Sequence, residues 1–262
     1  STMIKMYKTW AKAFPDNEVL QYLASDGAEG NVPNYLSKGL NTSGFYTFRN
    51  GWDMKSTVMV MKASLPAFFH AQPDNGTFEL WKDGRNFTPD AGCFVYSGDA
   101  EIMKQREWFR QTRVHNTITL DNKNMAITNA KLLKWESGKD LDVLTYTNPS
   151  YASLNHQRSV LFVDKTYFII VDVAKGLATG KIDVHFQLKE DSKPTYNVQK
   201  KLVATNYEDG NNLLIQNLDF DGTSKLLQEE TKVSYFYQKE MARPALSFQK
   251  EKVDAKDTQS IT

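Results

Sequence analysis

Four histidines and a single cysteine are the scarcest reactive side chains in this 262-residue sequence, and two of the histidines stand in polar, turn-forming surroundings. His70 opens the run His70-Ala71-Gln72-Pro73-Asp74-Asn75-Gly76-Thr77-Phe78-Glu79-Leu80, where small and turn-forming residues lead into a strand-like stretch. An imidazole at the mouth of a strand can face a cleft while the strand fixes its backbone, and an ordinary pKa of about 6.5 suits it to proton transfer near neutrality. The same placement suits a histidine that only hydrogen-bonds its own loop, so the residue types leave both readings open. His115 stands in Arg113-Val114-His115-Asn116-Thr117, and Asp90 in Thr88-Pro89-Asp90-Ala91-Gly92. With Gln72 they form a mixed set of imidazole and oxygen donors that zinc, manganese or calcium accepts. Their spacing matches no compact metal motif. The competing reading makes Asp90 a turn cap and His115 a cross-sheet hydrogen-bonding residue.

A second concentration of chemistry is Lys104-Gln105-Arg106-Glu107-Trp108-Phe109-Arg110-Gln111-Thr112-Arg113, which gathers four cations and two aromatic rings. Guanidinium groups match sulfate and carboxylate oxygens in a bidentate fork, and an indole packs on a sugar face. Arg110, Arg113 and, further upstream, Tyr96 are therefore candidate substrate contacts. Against this stand a solvated loop with an anchoring Trp108 and an edge-strand role for Tyr96. His156 and His185 fall within strand-like runs and read as structural, and Cys93, between Gly92 and Phe94, reads as a buried small hydrophobe.

The elements that must position these groups are mostly strands. Short β-branched and aromatic runs recur from Gly44 onward, among them Phe45–Phe48, Thr57–Met61, Gly76–Trp81, Cys93–Tyr96, Thr117–Leu120, Leu141–Tyr146, Ser159–Val163, Tyr167–Val171, Ile182–Leu188, Leu213–Gln216 and Val233–Tyr237. Turn signals at Lys82–Arg85, Asp164-Lys165 and Asp209–Asn212 join neighbours into hairpins. The pattern predicts a mainly β protein, a large antiparallel β-sandwich. Residues 1–40 differ: Ile4, Tyr7, Trp10, Ala11 and Phe14 recur at helical spacing, and a second short helix starts near Glu18. The expected division is 1–40, two short helices belonging to a larger preceding assembly, and 41–262, the sandwich. Residues Gln259 to Thr262 read as the start of a strand, which predicts a truncated C-terminus. Residues 103–113 read as a loop or short helix crossing the sheet.

Composition narrows the function classes. No stretch approaches the ~20 apolar residues of a membrane helix, and no leader pattern is visible. A formal net charge of +1 lacks the basic excess of a dedicated nucleic-acid binder, so attraction for a polyanion must come from a local patch. One cysteine forbids an intramolecular disulfide.

Taken in order, the run from His70 to Leu80, Pro89-Asp90-Ala91-Gly92, and Arg113 to Thr117 resemble the C-terminal signature of the heparinase II/III family of polysaccharide lyases. Gly44-Phe45-Tyr46-Thr47-Phe48-Arg49-Asn50-Gly51-Trp52 resembles the strand that opens that family's β domain. The likeness covers Phe45 to Asp121 and extends more loosely through His156-x-Arg158 and Tyr167 to Asp172. Within the family it is to the heparinase III type of heparan sulfate lyase. The resemblance implies that His70 is the catalytic histidine, that Asp90, His115 and Gln72 are metal ligands, and that the divalent ion, calcium, manganese or zinc, is structural. The heparinase II type carries a zinc-binding histidine at the position of Gln72. The amide found here favours a harder ion, calcium or manganese, over zinc.

The resemblance also implies β-elimination on heparan sulfate or a related acidic polysaccharide. A preceding α/α toroid would carry an Asn that offsets the uronate carboxylate and a Tyr that acts as acid and base. The two short helices would be the tail of that toroid, the β domain would pack against it, and the protein would be periplasmic or secreted. This chain alone would then be inactive, with neither nucleic acid nor membrane as partner. A noncatalytic carbohydrate-binding β-sandwich and a metal-dependent β-sandwich hydrolase are the other classes compatible with the residues.

Overall fold

The computed structural model describes residues 2–65 and 71–262. Helices α1 (Thr2–Ala13) and α2 (Glu18–Ala24) open the chain, and Asn17 caps the second by accepting from the amide of Leu20. No described helix is long and apolar enough to cross a membrane. Everything that follows is organised by antiparallel strands, as the alternating pattern predicts.

The first sheet is a five-stranded meander in sequence order, Lys38–Leu40, Phe45–Arg49, Val58–Lys62, Phe78–Lys82 and Arg85–Asn86. Its opening strand lies before residue 41 and pairs with the next, Leu40 opposite Phe45. The second sheet places Thr258–Ile261, Tyr167–Gly176, Leu154–Val163, Leu141–Tyr151 and Lys131–Ser137 side by side. The third has four strands, Lys225–Phe236, Lys239–Lys252, Gly180–Gln187 and Ile118–Leu120. Three short strands, Thr195–Asn197, Leu202–Ala204 and Leu214–Gln216, form a small accessory sheet.

Two-residue periodicity decides what the sheets bury. In Val58–Lys62 the inward residues are Met59 and Met61, and they join Tyr46, Phe48, Phe78 and Leu80 from the same sheet. Leu144, Tyr146, Val160, Phe162 and Ile170 of the second sheet and Ile118, Val184, Phe186, Leu246 and Phe248 of the third complete one continuous core. Along Leu154–Val163 the alternation has a further effect: His156 and Arg158 share the inward face with Val160 and Phe162, so two polar side chains enter the core.

The segment read as crossing the sheet, residues 103–113, overlaps helix α3 (Ala100–Phe109), whose start is fixed by Asp99 accepting from the amides of Glu101 and Ile102. Phe109, Ile102, Met103 and Trp108 pack on Ala91, Phe94, Val95 and Val114, a second apolar cluster. The expected strand Cys93–Tyr96 does not form. Gly92 and Phe94 both adopt positive φ, +79° and +60°, which bends the chain and turns Phe94 onto Phe109 in a stacked pair at 5.3 Å. The same bend leaves Cys93 half-exposed, correcting its reading as a buried hydrophobe.

Candidate metal centre beside the sheet mouth

The three segments singled out by their chemistry meet where the first and third sheets come together. Residues 71–77 lead into strand Phe78–Lys82, residues 87–92 leave strand Arg85–Asn86, and residues 112–117 lead into strand Ile118–Leu120. Asp74, Asp90 and His115 each offer one ligand atom, and these atoms lie within 4.8 Å of one another.

Each segment is held by its backbone. The Gly76 amide donates to the Lys62 carbonyl at 2.7 Å, and the Thr77 amide closes a turn onto the Asp74 carbonyl at 2.9 Å. Gly76 has φ +95°, and a Cβ there would collide with the Tyr146 hydroxyl, so the turn demands glycine on two counts. Thr112 donates its hydroxyl to the Pro73 carbonyl, tying the first segment to the third. Asn116 ties the third to the other two, donating to the carbonyls of Phe78 and Thr88. In the second segment, the Asp90 amide donates to Glu79 and the Gly92 amide donates to Asp90 Oδ1.

These contacts leave a specific electrostatic arrangement. Asp74 pairs with Lys62 at 2.5 Å. His115 is buried, and its Nδ1 lies 2.8 Å from the Gln111 carbonyl, which can only accept. Nδ1 therefore carries a proton, and in the neutral ring Nε2 presents a lone pair. That lone pair faces Asp90 Oδ2 at 3.4 Å and has no hydrogen-bond partner among the described residues. A buried acceptor aimed at a carboxylate oxygen is unfavourable unless a second proton or a cation lies between them. A backbone carbonyl fixing the far side of an imidazole is also the arrangement found behind histidine metal ligands. Burial pushes the neighbouring Glu79 carboxyl above its ordinary value, and the charge of Asp90 adds to that push.

Gln72, two residues before Asp74, has a buried Oε1 with no hydrogen-bond partner among the described residues. His70 lies outside the described residues. Asp74 is the member that reading the residues one by one passes over, although it stands directly before the Asn75-Gly76 turn.

The proposed sugar contacts are more dispersed. Arg110 caps α3, pairs with Glu107 at 3.0 Å and donates to the Ala71 carbonyl at 2.9 Å, so it braces the loop that carries Gln72. Arg113 is half-buried in the short 3-10 turn Thr112–Val114, and its carbonyl accepts from Gln187. Tyr96 is exposed, with the Arg106 guanidinium 5.5 Å from its ring centroid. His156 and His185 are buried and internally bonded, as expected of structural histidines.

Residues 32–258 match the family described as heparinase II/III-like, C-terminal. A heparin-sulfate lyase of Pedobacter heparinus is 61% identical over 249 residues, which cover 95% of this chain and 38% of that protein. A heparin-sulfate lyase of Bacteroides stercoris is 44% identical, covering 97% of this chain and 38% of the relative. The crystal structure of the heparan sulfate lyase HepC from Pedobacter heparinus matches with a TM-score of 0.97 at 58% identity, covering 99% of this chain and 41% of that one. The chain thus spans about two fifths of the length of the curated relatives it matches.

Proposed function

This chain belongs to the heparinase II/III-like C-terminal family, and on that premise we propose that it is the β domain of a polysaccharide lyase that cleaves heparan sulfate or a related uronic-acid glycan by β-elimination. In that reaction a base takes the proton beside the uronate carboxylate, the electron pair forms the sugar double bond, and the glycosidic carbon–oxygen bond breaks. The departing oxygen takes up a proton. The carboxylate charge opposes the first step, so it must be neutralised while the base acts. His70 serves as the base or as the group that polarises the carboxylate, and Arg110, Arg113 and Tyr96 supply cationic and aromatic contacts to the sulfated sugar.

The observation that carries this reading is the convergence of Asp74, Asp90 and His115 from three separated segments, next to the loop that follows residue 70. The donor set suits a divalent ion, with Gln72 as a further oxygen. Bound there, the ion would cross-link the three segments and fix residues 71–77, which follow His70 in the chain. The remaining groups of the reaction lie on a preceding α/α domain. The exposed apolar residues Met3, Met6, Trp10 and Phe14 on and beside α1 are suited to packing against such a domain. A periplasmic or secreted location follows from the substrate.

The test is release of unsaturated uronate from heparan sulfate by a full-length version, wild type against His70→Ala. Loss of about 10²–10⁴-fold in kcat with glycan binding retained supports the assignment. A variant that keeps its rate removes His70 from catalysis. The 262-residue chain alone is expected to give no turnover.

A further inference from the structure

Arg243 is a buried cation whose hydrogen bonds, among the described residues, all go to neutral acceptors. It lies in strand Lys239–Lys252 with 1% of its surface exposed. No ion pair among the described residues includes it. Its Nη1 donates to the Pro89 carbonyl at 2.5 Å, its Nη2 to the Val114 carbonyl at 3.0 Å and its Nε to the Thr231 hydroxyl at 3.2 Å. Burial lowers its pKa to about 10, against the pull of Asp90, so the group stays charged at neutral pH. A well-packed apolar side chain would serve stability as well or better, because a buried charge without a contact carboxylate carries a desolvation penalty.

The identity of the two carbonyls explains its presence. Pro89 immediately precedes Asp90, and Val114 immediately precedes His115. A peptide group is planar, so fixing a carbonyl oxygen also fixes the Cα of the next residue. The guanidinium is a rigid fork, so the separation of its two donors sets the separation of the two carbonyls. Thr231 steadies the fork and in turn donates to Gln187 Oε1, while Gln187 Nε2 holds the Arg113 carbonyl. On the other side of His115, the Asn116 carbonyl accepts from Arg158 at 2.7 Å, and Arg158 also holds the Gly76 carbonyl at 2.6 Å. His115 is thus flanked by two carbonyls, each gripped by a different buried arginine.

We propose that Arg243 is a positioning residue that holds Asp90 and His115 at cation-sharing distance by bridging the carbonyls of Pro89 and Val114, with Arg158 performing the matching task for the Asp74 segment. The proposal rests on the reading of the cluster as a metal centre, and two readouts separate the two claims. The first is Mn2+, Zn2+ and Ca2+ binding by calorimetry to wild type, Arg243→Lys and Arg243→Met. Lysine keeps the charge and loses the fork, so weakening of at least about tenfold is expected for both variants, and affinities within twofold of wild type overturn the proposal.

The second readout needs no metal. The ring nitrogens of His115 in histidine-labelled protein, assigned with His115→Gln, are expected to shift in both Arg243 variants while those of His185 stay in place. Unmoved His115 resonances overturn the proposal even when wild type binds no ion, an outcome that by itself would refute only the metal reading. Thr231→Val, which keeps the guanidinium but frees its Nε, should show the same displacement at smaller amplitude, and this carries the test should Arg243→Met fail to fold.

Discussion

His156 and His115 are both buried imidazoles beside an aspartate, yet one pair is closed and the other open. His156 Nε2 donates to Asp172 at 2.6 Å, and its Nδ1 accepts from the Tyr146 hydroxyl at 3.3 Å. Asp172 is also gripped by Arg158 through two bonds, at 2.7 and 3.0 Å, so every charge has a contact partner. At His115 the second nitrogen faces Asp90 across 3.4 Å with nothing donated to it among the described residues. The Arg243 guanidinium, which feels the charge of Asp90, spends its donors on carbonyls and a hydroxyl. The first arrangement is complete as folded. The second leaves an acceptor open among the described residues, and that open acceptor, more than burial, sets a histidine suited to binding apart from one that is only structural.

The largest effect should come from opening the closed pair. Arg158→Met leaves Asp172 buried with only a neutral imidazole and should destabilise the fold by about 3–5 kcal/mol, read from urea unfolding. A loss under about 1 kcal/mol would mean that the network is dispensable and the contrast with His115 is overdrawn.

Acid should act next. Burial alone would raise the Asp172 carboxyl, and Arg158 together with His156 outweighs it and holds the group at about 2. Because the folded value lies below the ordinary ~3.9, this contribution is complete above about pH 4 and is lost as pH falls toward 2, roughly 2–3 kcal/mol. Burial also holds His156 below its ordinary range, against the pull of Asp172. Its depressed value gives a second loss that begins as pH drops below about 6.5. Unfolding midpoints measured from pH 7 downward should show both phases, and His156→Gln should remove only the upper one.

The smallest change should come from closing the open pair. In Asp90→Asn the remaining oxygen can still accept from the Gly92 amide, and the new amide can donate to His115 Nε2. In chelator the variant should be as stable as wild type or up to about 1 kcal/mol more stable. Added metal should no longer raise its melting temperature. Marked destabilisation in chelator would show that Asp90 and His115 already share a proton and need no ion.

Much of this was legible from residue order. The two short helices, the antiparallel character and the hairpins at Lys82–Arg85 and Asp164-Lys165 follow from periodicity and turn chemistry, and the structure has them there. Strand Lys239–Lys252 was missed because Pro244 and six charged residues interrupt its apolar pattern, although it is an inner strand of the third sheet. Cys93–Tyr96 failed the other way: its aromatic and β-branched residues suit a strand, and two positive-φ positions overrule them. Asp90 and His115 were recognisable as donors from their motifs. Their partnership with Asp74 depends on three turns stacking at the sheet mouth, which no local pattern encodes. Arg158 and Arg243 were less legible still, since a lone arginine in a strand looks like a surface residue until the face it points to is known.

Both arginines recognise main chain, and main chain is common to every amino acid. The junctions at Pro89, Val114 and Asn116 should therefore tolerate exchange of side-chain type as far as the grip is concerned, while insertion of one residue between a gripped carbonyl and its neighbouring ligand would rotate that ligand away. What these clamps guard is spacing along the chain, so length changes in those stretches should be far more damaging than changes of composition.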